Sequence, residues 1–580
     1  MIVHIGPGAR VEYGTISRRR AMSGAFGRMP IGATRREFIG VSIAASSMVA
    51  LAACSSDDGS EVDIDEQSKG AMDDFAADTQ FTATEPFTLS LLWTEWPELP
   101  IKDSWTFFDE VEQRTNVKFE LTTIPFSDAV EKRSLLISAG DAPQVIPLIY
   151  TGDETSFVSS GAILPISDYV EHMPNFQKYV EEWDLADMVD NLKQADGKYY
   201  MLPGLQEVSV PVFTLIIRKD VFESVAGGIP ETWDEMREAL VKIKAEYPDS
   251  TPLADGFEAQ SMLNYASHAW GARAGWGFGP GMVDDGGGKL EYTAVTEGYK
   301  QMVEYFRGLV ADGLLDTDSL TAANDGSGGG SVAEKFANET VFAASGSNGT
   351  AIEFAQALNE TVGEGNYEVL QIAPPGGPAG QVVEPRNFWN GFMLNSEITE
   401  SEHFLATLQF LDWLYYNPEA RELLRWGVLD ETYTKDADGK IELKPEYSLN
   451  AFNINPDGET DIQEDLGWSN SVFADSTESR ALKESYNPSE FVAYIDAVLS
   501  TRTPRDPYPP APLDELELEQ SSLLATPLKD TVDTNTLKFI TGDRDIAEWD
   551  DYVAELEAQG LAEYVDLMNA ARDRFEEENS

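Results

Sequence analysis

The fold class follows from three short apolar runs, FTLSLLW (87–93), VKFELTT (117–123) and QVIPLIY (144–150). Each run has the length and the β-branched and aromatic content of a strand. The segments between them, Trp105 to Arg114 and Ala129 to Ser138, have the apolar spacing of helices. Alternating strands and helices predict an α/β fold with a parallel sheet covered by helices.

The loops that follow these strands are the first candidates for a binding site. In open α/β sheets, ligands bind beside the carboxyl ends of the strands. The loop after the first strand contains Trp93, Glu95 and Trp96, and the loop after the third contains Asp153.

An export signal precedes this domain. TRREFIGVSIAASSMVALAAC (34–54) places Arg35 and Arg36 before an apolar run of about fifteen residues, fewer than the roughly twenty of a membrane-spanning helix. Its start resembles a twin-arginine export motif, and its end resembles a bacterial lipobox in which Cys54 is lipidated. We therefore expect a signal region at 1–53, with translation starting at Met29, and a chain anchored by lipid on the extracytoplasmic face of the cell membrane.

Cys54 is the only cysteine, which excludes disulfides and thiolate zinc sites. Residues 54–85 are acidic and poor in large apolar side chains, as expected of a flexible tether. The formal net charge of −60 argues against nucleic-acid binding and against docking on anionic lipid. A chain of 580 residues is too long for one hydrophobic core, so two lobes are expected.

Further motifs follow in a characteristic order. These are ADGKYYMLP (195–203), VPVFTLIIRKD (210–220) and PETWDE (230–235), in which Thr232 and Glu235 form a capping box. This order, together with 299–313, 336–346, 388–394 and the tail 539–561, resembles extracellular solute-binding proteins of the sugar-binding family 1. Those proteins are the receptors of ABC importers.

The resemblance implies a two-lobed periplasmic-binding-protein-like fold of type II with the ligand cleft between the lobes. It places the N-terminal lobe at 86–205 with 375–430 and the C-terminal lobe at 206–374 with 431–580. It also implies an oligosaccharide ligand, ABC permease subunits as partners and a monomer. No cofactor or metal is expected.

A sugar presents flat C–H faces and a rim of hydroxyls, so its site needs aromatic faces and fixed polar groups. Every tryptophan considered could equally belong to the core. The resemblance matches Glu95, Asp153 and Glu207 to polar sugar contacts, and it places Arg386 to Asn390 where the chain recrosses between lobes. The candidate ligand-binding residues are Trp93, Glu95, Trp96, Asp153, Glu207, Trp270, Trp276, Arg386, Asn387, Trp389 and Trp426.

The remaining motifs give weaker evidence of function. Residues 435–440 are similar to half of a calcium loop, but Pro445 stands where the bidentate glutamate is needed, so a hairpin turn is favoured. The four histidines lack metal-ligand spacing, and no serine nucleophile motif occurs.

Three functions remain open. The first is an import receptor that closes around an oligosaccharide. The second is a lipid-anchored glycoside hydrolase, which requires two suitably spaced carboxyl groups and would show turnover. The third is a peptide- or glycan-binding lipoprotein with a static groove, which would not compact when ligand binds.

Overall fold

The first three predicted strands and the two helices between them are confirmed in the computed structural model, which describes residues 64, 66–321, 330–384, 386–505 and 510–578. The predicted Arg35, Arg36 and Cys54 features lie outside the described residues. The compact unit that contains the described residues extends from Val62 to Ser580.

The strands run in chain order as β1 Phe87–Glu95, β2 Val117–Pro125, β3 Val145–Ile149, β4 Leu202–Leu205, β5 Thr214–Arg218, β6 Leu253–Ala254, β7 Met282–Asp284, β8 Leu290–Tyr292, β9 Ala343–Gly346, β10 Val369–Ile372, β11 Val382–Val383, β12 Phe388–Leu394, β13 Tyr433–Lys435, β14 Ile441–Leu443, β15 Tyr447–Ser448, β16 Thr460–Asp461 and β17 Thr503–Pro504.

The α-helices are α1 Phe107–Thr115, α2 Ala129–Ala139, α3 Thr155–Val158, α4 Pro174–Glu182, α5 Ala186–Asp190, α6 Lys219–Val221, α7 Trp233–Glu246, α8 Gln260–Ser267, α9 Glu297–Ala311, α10 Gly330–Ala337, α11 Asn348–Thr361, α12 Phe404–Tyr416, α13 Pro418–Trp426, α14 Arg480–Tyr486, α15 Ser489–Thr501, α16 Glu515–Thr541, α17 Trp549–Ala558 and α18 Leu561–Glu578.

The first sheet has the order β2-β1-β3-β12-β4. Strand β1 is parallel to β2 and β3, as predicted, whereas β12 is antiparallel to both β3 and β4. The parallel arrangement predicted from the first three strands is thus confirmed for those strands, and the antiparallel strand β12 makes the complete sheet a mixed one. Leu89, Leu91 and Leu92 are all buried because the sheet is covered on both faces, which explains the nearly continuous apolar sequence of β1.

Gly391 allows β12 to lie close to β4. A Cβ atom at this position would stand 1.8 Å from the carbonyl oxygen of Leu202. The pairing register also shifts between Gly391 and Phe392, and the segment that carries Arg386 and Trp389 leads into this irregularity.

The second sheet has the order β10-β5-β9-β6. In β5, Leu215 and Ile217 belong to one hydrophobic core while Ile216 belongs to another on the opposite face. The first of these cores includes residues of α7, α8 and α9 and of the three C-terminal helices, and the second includes Phe354 of α11. Alternation along β5 thus buries the strand on both faces.

The segment after α13 packs with the first sheet. Tyr433, Trp468, Phe473 and Tyr486 belong to the same hydrophobic core as β1 and β12. We therefore propose that the first lobe comprises 86–205 with about 388–486, and that the second comprises about 206–374 with 510–578. Helix α15 packs on Val208, Val210 and Val383, which lie in the segments that connect the lobes.

Candidate ligand-binding cleft

A cavity of about 320 Å³ is lined by residues from both lobes. Residues that pack with the first sheet contribute Trp389, Phe452, Asp475, Glu478 and Tyr486, and the second lobe contributes Val212, Ser347, Asn348 and Gly349. Neighbouring cavities of about 580 and 720 Å³ share lining residues with it, so the cleft continues as a groove around the N-terminus of α11. We place the candidate site in the smallest of the three because aromatic and fixed polar groups converge there.

Trp389 lines this cavity, and Arg386 and Tyr150 contact its ring. The guanidinium carbon of Arg386 lies 3.6 Å from the centroid of the Trp389 ring, and Tyr150 meets Trp389 edge-on at 5.9 Å between centroids. Two hydrogen bonds fix the backbone here, since Arg386 N donates to Ser209 Oγ at 2.5 Å and Gln206 N donates to Asn387 O at 2.8 Å. Burial lowers the pKa of Arg386 to about 10, an effect that Tyr150 partly offsets.

A buried ionic network forms the floor of the cleft. Arg425 Nη2 donates to Asp475 Oδ1 at 2.7 Å and to Glu478 Oε1 at 3.3 Å. Lys483 lies 3.5 Å from Glu478 and donates to Gln206 Oε1 at 2.7 Å. Burial opposes the ionisation of Glu478, but Lys483 and Arg425 outweigh it and lower the pKa of this carboxyl group.

Asp475 is the acid of this network that reaches solvent. Its side chain is 36% exposed, whereas that of Glu478 is 9% exposed. Arg421, buried on α13, donates to the carbonyl oxygens of Phe473, Ala474 and Thr477 and so holds the loop that carries Asp475. A carboxylate held through one oxygen presents the other as an acceptor for hydroxyl groups.

The second lobe carries an aromatic cluster beside the cleft. Trp276 lies 5.1 Å from both Phe213 and Phe257 between ring centroids, and 46% of Trp276 is exposed. Phe213 directly follows Val212, which lines the cavity. At the N-terminus of α11, Asn348 Nδ2 donates to Asn487 Oδ1 at 2.7 Å and thereby joins the second lobe to the chain that follows α14.

Three of the predicted binding tryptophans belong to hydrophobic cores, and these predictions are corrected here. Trp93 is 2% exposed and packs against Trp105, Phe108 and Phe473. Trp270 is buried against Trp233. Trp426 is 1% exposed, and its Nε1 donates to Ser485 Oγ at 3.0 Å. The ring of Trp93 is covered by these neighbours, and the small exposed fractions of Trp270 and Trp426 leave too little of either ring open to stack on a sugar.

The other predicted residues lie at strand ends or on the cleft rim. Glu95 accepts a hydrogen bond from Ile101 N at 3.0 Å, and Trp96 stacks on Phe126 at 5.1 Å. Asp153 pairs with Arg133 at 2.9 Å and accepts from Tyr150 N at 3.2 Å. Glu207 accepts from Arg480 N at 2.6 Å.

The structure thus brings Arg386, Asn387 and Trp389 together, with Asp153 close by through Tyr150. Sequence reasoning missed Tyr150, Gln206, Asn348 and Asp475. The one available signal for Asp475 is the pair Arg421 and Arg425, two cations on an otherwise apolar helical face that need buried acceptors.

Residues 435–440 form the turn between β13 and β14, as predicted, and Asp436 Oδ1 accepts from the backbone of Asp438 and Lys440. Within the part of the chain that the structure describes, no three acidic, histidine or cysteine side chains are grouped as metal ligands. No helix in those same ranges is long and apolar enough to cross a membrane.

The two lobes and the cleft between them define a solute-binding protein of the type II fold. The chain belongs to the family described as bacterial extracellular solute-binding proteins, whose model matches residues 106–427. This family consists of extracytoplasmic binding proteins rather than enzymes, which confirms the predicted class.

Two curated relatives are similar in sequence. The fructooligosaccharide ABC transporter substrate-binding protein FusA of Streptococcus pneumoniae is 23% identical over 495 residues, which cover 80% of this chain and 86% of that protein. The polygalacturonan/rhamnogalacturonan-binding protein YtcQ of Bacillus subtilis is 25% identical over 214 residues, which cover 36% of this chain and 41% of that protein.

Solved structures confirm the fold. The alginate-binding protein AlgQ2, in its structure without calcium ion, superposes with a TM-score of 0.63 at 18% identity, covering 85% of this chain and 99% of AlgQ2.

Proposed function

We propose that this protein is the lipid-anchored receptor of an ABC importer and that it delivers an oligosaccharide to membrane permease subunits. The observation that carries the proposal is the convergence of Trp389, Tyr150 and Asp475 in the cleft between the lobes. An aromatic face covers the C–H surface of a sugar ring while an oriented carboxylate accepts from its hydroxyl groups.

The comparisons support saccharide as the ligand class, since the relatives are named for binding fructooligosaccharide and polygalacturonan/rhamnogalacturonan. Anchoring is supported by the sequence motif in which Cys54 follows Leu51, Ala52 and Ala53. The predicted tether at 54–85 is too long, because Phe81 and Ala83 are buried in the core of the first lobe and Lys69 N donates to Glu402 O at 2.9 Å. The shorter segment that follows Cys54 would then link this lobe to the membrane.

The ion pairing of the cleft argues against the glycoside hydrolase alternative. Hydrolysis requires one carboxyl group that is protonated and able to donate. Arg425 contacts both Asp475 and Glu478, and together with Lys483 it keeps Glu478 ionised. Glu478 is therefore suited to accept hydrogen bonds rather than to give a proton.

The test is calorimetric titration of the purified protein with di- to hexasaccharides, neutral and acidic, and with peptides. We expect one saccharide class to bind, and Trp389→Ala to weaken that binding about 10- to 100-fold through loss of ring contact. Trp183→Ala is the matched control, because Trp183 stacks on Tyr179 and lines none of the cavities described above.

Either of two results would contradict the proposal. Release of shorter sugars during long incubation would favour the hydrolase. Binding of peptides but of no saccharide would favour the peptide-binding alternative.

A further inference from the structure

The guanidinium group of Arg386 has no acidic partner among the residues that the structure describes, because no carboxylate of those residues lies within 4.0 Å of it. The other cations at this site are paired, Arg425 with Asp475 and Glu478, and Lys483 with Glu478. Asp153, the acid next to Tyr150, pairs with Arg133 instead. The cavity and the Arg386 side chain beside it thus bring three cations together with two carboxylates, in a chain of net charge −60.

The stacking geometry keeps the hydrogen-bond donors of Arg386 available. The guanidinium carbon lies 3.6 Å from the Trp389 ring centroid, so the cation is attracted by the face of the ring. The N–H groups of a guanidinium lie in its plane, and a stacked guanidinium can still donate two parallel hydrogen bonds from its edge. Such a paired arrangement fits a carboxylate.

The position of Arg386 is set by the protein rather than by a ligand. Its backbone is held by Ser209, in the first connection between the lobes, and Asn387 is held by Gln206. A half-buried cation without a counter-ion is costly to desolvate, and burial lowers its pKa to about 10. An anionic group supplied by the ligand would remove this cost.

We propose that Arg386 recognises a carboxylate on the bound sugar, so that the ligand is an oligosaccharide that contains uronic acid. This inference rests on the proposed function and narrows its ligand class. The ring of the uronate residue would lie beside Trp389 and Tyr150, with its carboxylate at the guanidinium edge. Asp475 would accept from the hydroxyl groups of a neighbouring sugar.

The test compares trimers of galacturonate, glucuronate and mannuronate with their methyl esters, with neutral trisaccharides and with a sulfated trisaccharide. Titrations of the full chain are made at 50 and 200 mM NaCl. We expect an acid trimer to bind at least 10-fold more tightly than its methyl ester, and more weakly at the higher salt concentration.

Single-residue variants test whether Arg386 causes the preference for the acid trimer. Arg386→Gln should weaken binding of the acid trimer about 10- to 100-fold and leave binding of the ester within about 3-fold, so that the preference is lost. Arg386→Lys keeps the charge without the paired donors and should retain part of the preference. Lys440→Gln removes one charge from an exposed hairpin and should bind as the wild type does.

Failure of this inference differs from failure of the proposed function. Tight binding of a neutral saccharide that is unchanged in Arg386→Gln would overturn the uronate assignment and leave the receptor function standing. A preference for the sulfated sugar over every uronate would also overturn it. If no saccharide binds to the wild type or to Arg386→Lys, both proposals are wrong.

Discussion

Glu154 is a carboxyl group kept out of water at the edge of the first sheet. Glu154 is only 1% exposed, and its carboxyl group accepts hydrogen bonds from Gly152 N at 2.8 Å and from Gln194 Nε2 at 3.2 Å. Burial outweighs these bonds and raises the pKa of Glu154 to about 7.

This pKa predicts a pH-dependent stability. The folded chain keeps the proton up to about pH 7, while the unfolded chain loses it near pH 4, so the contribution of Glu154 is complete at low pH and is lost as the pH rises from about 4 to about 7. The loss amounts to at most about 3 kcal/mol. The free energy of unfolding, measured with urea, should decline between pH 4 and 8. This decline should be smaller in Glu154→Gln. Equal declines in both proteins would show that Glu154 does not titrate in this range.

The grouping of candidate residues in space was predictable where those residues are neighbours in sequence. Arg386, Asn387 and Trp389 combine donors and an aromatic ring within four positions, and the structure places them together. Asp475 was not predictable, because it is positioned by Arg425, fifty residues earlier. Trp93 lies near the carboxyl end of an apolar strand, where a ligand-binding aromatic is expected, and the packing of Phe473 against its ring shows that it is core.

Among the predictions of secondary structure, those that rest on residues close together in sequence were the most reliable. Thr232 Oγ1 accepts from Glu235 N at 3.2 Å, and the Glu235 carboxylate accepts from Thr232 N at 3.3 Å, so the predicted capping box of α7 is confirmed. By contrast, the insertion of β12 between β3 and β4 depends on pairing between segments far apart in the chain, for which the local sequence carries no signal.

The cap predicts a graded loss of stability. Thr232→Ala leaves backbone N–H groups at the start of α7 without an acceptor and should lower the free energy of unfolding by about 1 kcal/mol. Thr232→Ser keeps the hydroxyl group and should stay within about 0.5 kcal/mol of the wild type, as measured by urea denaturation. Similar losses in both variants would place the effect of Thr232 in its methyl group rather than in the cap.

For the whole molecule, the division into two lobes followed from length and motif order, but the lobe boundaries did not. The sequence of the acidic and aromatic segment 431–486 does not indicate which sheet it packs against. In the structure, residues such as Trp468 and Phe473 pack in the first core. Three connections, at 206–213, 373–387 and 487–502, run between the elements of the two sheets.

These connections predict closure when ligand binds. A ligand at 100 times its dissociation constant should add about 2.7 kcal/mol to the free energy of unfolding. Small-angle scattering should show a smaller radius of gyration in the same sample, because the lobes move together about the connections. Trp389→Ala at the same ligand concentration should show less of both effects. Stabilisation without compaction would indicate a static groove.

The place of β12 in the first sheet also has a consequence for synthesis. Strands β1 to β4 leave the ribosome early, but β12, which lies between β3 and β4, follows only after the strands of the second sheet have been made. The lobe that begins the domain therefore completes its sheet only after every strand of the second sheet has been made, and pairing over so long a separation slows folding. A chain that ends anywhere between β4 and β12 would lack a central strand of its amino-terminal lobe, so a late truncation damages the part of the protein that was made first.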